Sequence, residues 1–171
     1  MNEHSVRRVL VVTNPHSGVG RGDGVAGAVL DGLLGSGVAV TEVREDSAAE
    51  SVERVRAAVT STTERPDAVL CVGGDGLMNA LLPALAHSTV PLALVPAGTG
   101  NDLARELGIP VDDPRAATEI VLRGHSRTID LGRIESLHET PTWFATVVGT
   151  GFDARVTLRA NPMRYPRGPL R

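Results

Sequence analysis

Short apolar runs alternate along the chain with segments whose apolar positions recur every three or four residues, the signature of strands each followed by a helix. Val9 to Thr13 is a β-branched run, and after a polar stretch Val25, Val29, Leu30, Leu33 and Leu34 fall at helical spacing. Val38 to Val43, preceded by Gly37, reads as a second strand. Ser47-Ala-Ala-Glu50 is a capping box, in which a hydroxyl and a carboxylate satisfy the first free amides of a helix. That helix carries Val52, Val55 and Val59 on one face. Pro66 breaks the chain before a third strand from Val69, and a helix is predicted after Gly76, with Pro83 expected to kink it or end its regular part. Val90 to Val95 is a fourth strand, leading into a short helix that reaches Leu107. Pro114 opens a last helix through Ile120, Val121 and Leu122, and Gly124 ends it.

Strands alternating with helices imply an α/β fold with a mostly parallel sheet and right-handed crossovers. The pattern changes after Gly124. Ser126 to Glu135 and Thr142 to Val148 are strand-like with no helix between them, which predicts antiparallel pairing in a β-rich part. Residues 1–124 are therefore expected to form one domain, and 125–171 the beginning of an incomplete second one. Arg155 to Arg171 holds several arginines and three prolines and shows no core pattern. A solvated end is the preferred reading of that stretch over a basic membrane-contact tail.

Three of the strands run into polar, glycine-bearing turns: Asn14-Pro-His-Ser-Gly18, Gly73-Gly-Asp-Gly76 and Gly98-Thr-Gly-Asn101. In a parallel sheet such turns emerge together at the carboxyl edge of the strands, where open α/β sheets hold their ligands. Glycine lets a phosphate approach the backbone closely, and amides at a helix N-terminus point at the anion. Three turns of this kind favour a nucleotide site over three ordinary connections. Asp75 would repel a bare phosphate, so it is expected to meet a metal riding on the phosphates, a ribose hydroxyl, or a hydroxyl to be activated. Either Thr99 or Asn101 could cap the helix after the second turn, where Asp102 suits the dipole. Gly73, Gly74 and Gly76 with Gly98 offer backbone amides, and Thr99 adds a hydroxyl. Asn14, Ser17 and Gly18 could hold the nucleotide from the neighbouring strand. Asn79, three residues after Gly76, is placed to bond back to the turn or to touch the ligand.

These three turns, with Asn79 and with Gly98-Thr-Gly-Asn-Asp-Leu-Ala-Arg105, resemble the diacylglycerol kinase catalytic domain family. That family includes sphingosine and ceramide kinases and bacterial lipid kinases, and is distantly related to NAD kinases and phosphofructokinases. Gly-Gly-Asp-Gly is common to all of these; Gly-Thr-Gly-Asn-Asp resembles the lipid-kinase branch. Asp130-Leu-Gly132 and Gly149-Thr-Gly-Phe-Asp-Ala154 are similar to segments that follow there, so the resemblance runs from Val9 to about Pro169.

The resemblance implies an open Rossmann-like sheet of the NAD-kinase and phosphofructokinase kind, followed by the start of a β-sandwich domain. It implies ATP bound with Mg2+ at Asn14, Ser17, Gly18, Gly73, Gly74, Asp75, Gly76, Asn79, Gly98 and Thr99, and transfer of the γ-phosphoryl group to a hydroxyl of diacylglycerol or a sphingoid-type lipid. The catalytic base is then expected beyond residue 171. The alternatives are a NAD-kinase-like kinase of a soluble acceptor and a nucleotide-binding module without catalysis. Two positions depart from the family pattern. Leu77 stands where a threonine usually follows Gly-Gly-Asp-Gly, and Glu45 stands where a threonine often follows the second strand; each removes a possible nucleotide contact.

Composition narrows the picture only a little. The 171 residues suffice for one domain with a real core, and 42% of them are apolar, yet no run is long enough to span a bilayer. A formal net charge of −3 gives no electrostatic basis for nucleic-acid binding. Aromatic residues are only 2%, too few for a stacking platform. Met1 to Arg8 leads straight into a strand without a signal-peptide pattern, so the expected location is cytoplasmic, with peripheral contact at the inner membrane face through the lipid. A homodimer is an open expectation, through unpaired strand edges. The single cysteine, Cys71, falls inside a predicted strand and reads as a small core residue. His4, His16, His87, His125 and His138 have no ligand spacing. Of these only His16 lies in a candidate phosphate turn, and a solvent-facing role is preferred for it. Asp130 and Asp153 follow apolar strands and are read as stabilising turns or strand ends rather than as metal ligands.

Overall fold

The computed structural model describes residues 2–3, 5–13, 21–135 and 140–160. In chain order its elements are β1 (Asn2–Glu3), β2 (Arg8–Thr13), α1 (Arg21–Gly35), β3 (Ala39–Arg44), α2 (Ala48–Thr60), β4 (Ala68–Gly73), α3 (Asp75–Leu85), β5 (Leu92–Pro96), α4 (Asp102–Glu106) and α5 (Pro114–Leu122). These are followed by β6 (His125–Ser126), β7 (Gly132–Ile134), β8 (Thr142–Phe144) and α6 (Phe152–Ala160). Four strands pair in parallel in the order β3–β2–β4–β5, as alternation of strand and helix predicts.

Every residue of β4 is buried, which explains its uninterrupted apolar sequence: a central parallel strand is covered on both faces. Val69 and Cys71 pack with Leu10, Val12 and Val55 beneath α2 and α3, whereas Leu70 and Val72 pack with Val9, Val11 and Val29 beneath α1 and α5. β3 is an edge strand, and of its residues only Val43 is buried. The serine half of the capping box forms: the Ser47 hydroxyl accepts from the Glu50 amide at 3.2 Å and donates to the Glu50 carboxylate at 3.0 Å. Val55 and Val59 are buried as expected, with Val52 half-buried. Asp113 caps α5, accepting from the Ala116 amide at 3.0 Å ahead of Pro114 at the first helical position.

Several expectations need correction. Leu34 is 61% exposed and lies off the buried stripe of α1. Pro83 does not end α3, which continues to Leu85, and the Ala86 amide bonds back to the Leu82 carbonyl at 2.8 Å. One lost hydrogen bond near a helix end is offset by the burial of Leu81, Leu82 and Leu85. The strand-like stretches after Gly124 are much shorter than their patterns indicate. β6 pairs antiparallel with β1, and β7 pairs antiparallel with β8. Gly132 lies opposite Phe144, whose ring fills the space a side chain there would need. The β7–β8 hairpin packs against α3, with Leu131, Trp143 and Ala145 joining the core on that side. Trp143 also takes an edge-on contact from His87 and has the Arg133 guanidinium 5.4 Å above its ring. Residues 152–160 form a helix where no helical element was expected, with Val156 and Leu158 exposed. No helix of the described residues is long and apolar enough to cross a membrane.

Candidate nucleotide site

The strand order reverses between β2 and β4, since the chain moves from β2 outward to β3 and then from β4 outward to β5. Carboxyl edges at such a switch point form the crevice where ligands settle. Asn14, Ser17 and Gly18, together with His16, lie outside the described residues. The other two glycine turns are described, and they meet.

Gly73 ends β4 and Gly74 is the N-cap of α3, so the helix begins at Asp75, earlier than the sequence pattern implies. Its first internal bond runs from the Met78 amide to the Gly74 carbonyl at 3.2 Å. The amides of the first turn thus have no intrahelical acceptor, and Gly74 has no side chain to supply one. Gly76 is exposed in that turn. Gly74 touches Gly98 directly: a Cβ on Gly98 would stand 2.5 Å from the Gly74 Cα, and one on Gly74 would stand 3.0 Å from the Gly98 Cα. Glycine is required at both positions because the two backbones occupy each other's side-chain space. A ladder bond beyond the strands, from the Ala97 amide to the Gly73 carbonyl at 2.9 Å, holds the turns in this register.

Neither Thr99 nor Asn101 caps α4. Asn101 occupies the N-cap position with left-handed backbone, φ 59° and ψ 42°, but its side chain turns back. Its Oδ1 accepts from the Gly98 amide at 3.0 Å, and its Nδ2 donates to the Gly98 carbonyl at 2.9 Å. The Gly98 amide is therefore already engaged, and Gly98 contributes close approach rather than a free donor. The cap comes from Asp75: Oδ2 accepts from the Asp102 amide at 3.0 Å and Oδ1 from the Leu103 amide at 3.3 Å. Thr99 is exposed at the tip of the turn. Asp75 and Asp102 flank Gly100, where a Cβ would lie 3.2 Å from Asp75 Oδ2 and 3.7 Å from Asp102 Oδ1.

Asn79 points away from the turns. Its Oδ1 accepts from the Ala145 amide and its Nδ2 donates to Thr146 Oγ1, both at 3.3 Å, so it fastens the segment after β8 to α3. Leu77 is 8% exposed and belongs to the core beside Gly73, so the residue that replaces a threonine here faces inward. Glu45, at the end of β3, pairs with Arg54 of α2 at 3.5 Å. Below the turn, burial and then the charge of Asp75 push the Cys71 thiol up to about 12, which keeps it neutral and inert. Two residues at this edge of the sheet were not among the candidate site residues. Asp102 was noted only for the helix dipole. Thr13, which closes β2 at the switch point, is 5% exposed, and its hydroxyl has no hydrogen-bond partner among the described residues. A polar residue ending an apolar strand was the available signal for Thr13.

Residues 8–134 match the family profile of the diacylglycerol kinase catalytic domain. The chain belongs to the diacylglycerol kinase catalytic domain family. A diacylglycerol kinase of Mycobacterium tuberculosis is 43% identical over 171 residues, which is all of this chain and 54% of that protein. A sphingoid long-chain bases kinase of Arabidopsis thaliana is 29% identical over 176 residues, 98% of this chain and 23% of that protein. The crystal structure of a diacylglycerol kinase from Bacillus anthracis superposes with a TM-score of 0.63 at 23% identity, covering 75% of this chain and 44% of the other, and establishes the shared fold. The chain thus spans about half the length of the bacterial diacylglycerol kinase it matches along its whole extent.

Proposed function

We propose that this chain is the nucleotide-binding part of a lipid kinase that transfers the γ-phosphoryl group of Mg-ATP to a hydroxyl of diacylglycerol or of a sphingoid-type lipid. The observation that carries this reading is the junction of the two glycine turns at the carboxyl edge of the sheet, beside the first turn of α3, whose amides have no side-chain cap among the described residues. Phosphoryl transfer depends on holding the phosphates in place and neutralising their charge, and a helix start with free amides does both without side chains. The amides of Asp75, Gly76 and Leu77 are assigned as donors for the phosphates, with the exposed Thr99 hydroxyl as a further donor. Asn14, Ser17 and Gly18 complete the nucleotide contacts from the end of β2.

The Asp102 carboxylate beside Gly100 suits a hard cation, which prefers oxygen ligands, whereas both Asp75 oxygens are taken by the α4 amides. Asp102, exposed and adjacent to Asp75, is the acid best placed to meet magnesium. When bound, that ion supplies charge neutralisation for the phosphates. The β-rich part begins after Gly124 and packs through β8 on α3, and the general base is assigned to a region corresponding to the remainder of the longer relatives. Contact with the membrane is peripheral, on the inner face, through the lipid itself.

Calorimetric titration of the chain with Mg-ATP tests the reading. Saturable binding that competes with ADP and weakens in Thr99→Ala and Asp102→Asn is expected. Heat of dilution alone, with the chain folded by circular dichroism, would remove the nucleotide assignment from these turns.

A further inference from the structure

Among the described residues, Asp75 is the side chain that hydrogen-bonds across the two glycine turns, and it does so with both carboxylate oxygens. They take the Asp102 and Leu103 amides, the first two donors of α4, at 3.0 and 3.3 Å. The residue that ordinarily caps a helix, Asn101, has its side chain turned back on Gly98 by two bonds and is 7% exposed. A short helix of five residues has little stability of its own, so its start depends on the acceptor it is offered. Gly100 sits close to Asp75 Oδ2, and a Cβ there would stand 3.2 Å from it and crowd the carboxylate. A further bond, from Arg105 Nε to the Gly100 carbonyl at 3.1 Å, closes the turn from the far side.

We infer that Asp75 is a positioning residue whose carboxylate, by capping α4 from the neighbouring turn, fixes Gly98 to Asn101 in place before any nucleotide arrives. The two turns then meet the nucleotide as one preformed element, and Asp75 acts on it through α4 rather than by touching the metal. This inference rests on the nucleotide reading above, but the joint itself can be measured without nucleotide.

The experiment compares wild type with Asp75→Ala and Asp75→Asn. Amide hydrogen exchange is followed over residues 97–107 without nucleotide, and ATP affinity is measured in EDTA and again in magnesium. Loss of the cap is expected to speed exchange of the Asp102 and Leu103 amides about tenfold in Asp75→Ala. Asp75→Asn keeps one acceptor oxygen and should fall between the two, which guards against a variant that merely fails to fold. ATP affinity is expected to drop by the same factor in EDTA as in magnesium, because the defect lies in the turn. Unchanged exchange in Asp75→Ala would overturn the inference. So would an affinity loss seen only with magnesium, the mark of a metal ligand, or tighter binding in EDTA, the mark of relieved repulsion. If wild type binds no ATP in either buffer, the nucleotide reading fails and the positioning role with it, while the exchange data still report the joint.

Discussion

The helices that follow the two glycine turns, α3 and α4, start in opposite ways. α4 has its leading amides filled by a carboxylate, so the positive end of its dipole is satisfied inside the protein. α3, eleven residues long, starts at a glycine with nothing to offer, and the acid in its first turn reaches across to the other helix. A single residue, Asp75, thereby closes one helix start and leaves its own open. Two turns that look equivalent as glycine-rich strings are built differently: one begins a helix with no side-chain cap, and the other is braced against it.

The strongest way to break this arrangement is Gly98→Ala. The added methyl would meet the Gly74 Cα at 2.5 Å and Asn101 Oδ1 at 2.9 Å, and backbone cannot swing aside as a side chain can. A loss of about 3 kcal/mol is expected, measured by urea unfolding. Next comes Asn101→Ala, which removes two hydrogen bonds and leaves a β-carbon residue in left-handed backbone. About 2 kcal/mol should be lost in the same assay.

The charge that braces α4 also reaches Cys71, whose thiol is raised from 9.0 to about 12 by burial first and by Asp75 second. Above pH 9 the unfolded chain loses that proton while the folded chain keeps it. The stabilisation is therefore complete below pH 9 and is lost as pH rises toward 12, by up to about 1.4 kcal/mol per unit. Unfolding midpoints measured from pH 8 to 11 should fall more steeply in wild type than in Cys71→Ala. The smallest effect is expected at the open helix start. Gly76→Ala meets nothing within 4 Å and should raise stability by about 0.5 kcal/mol through helix propensity, which thermal unfolding can resolve.

Much of the fold was legible because its signals are local. The order of strands and helices through Leu122, the Ser47 and Glu50 box, and the apolar run of β4 each depend on residues a few positions apart. Legibility failed after Gly124, where Ser126 to Glu135 and Thr142 to Val148 have alternating patterns but pair over only two or three residues. An apolar alternation marks what can be a strand; its length is set by the partner available. The two described turns of the candidate site lie together at the sheet edge, yet Asn79 faces Ala145 and Thr146, and the cap assigned to Thr99 or Asn101 comes from Asp75.

The sequence by itself determined that this chain is a parallel α/β unit with glycine turns at one sheet edge, since hydrophobic period and turn chemistry act over a single turn of chain. Only the tertiary structure decided what each turn residue does. Asp75 and Asp102 are 27 positions apart, and they meet because β4 and β5 run side by side in a register that sets Gly73 opposite Pro96. That register is chosen by the packing of two apolar faces, and no local property of either turn contains it.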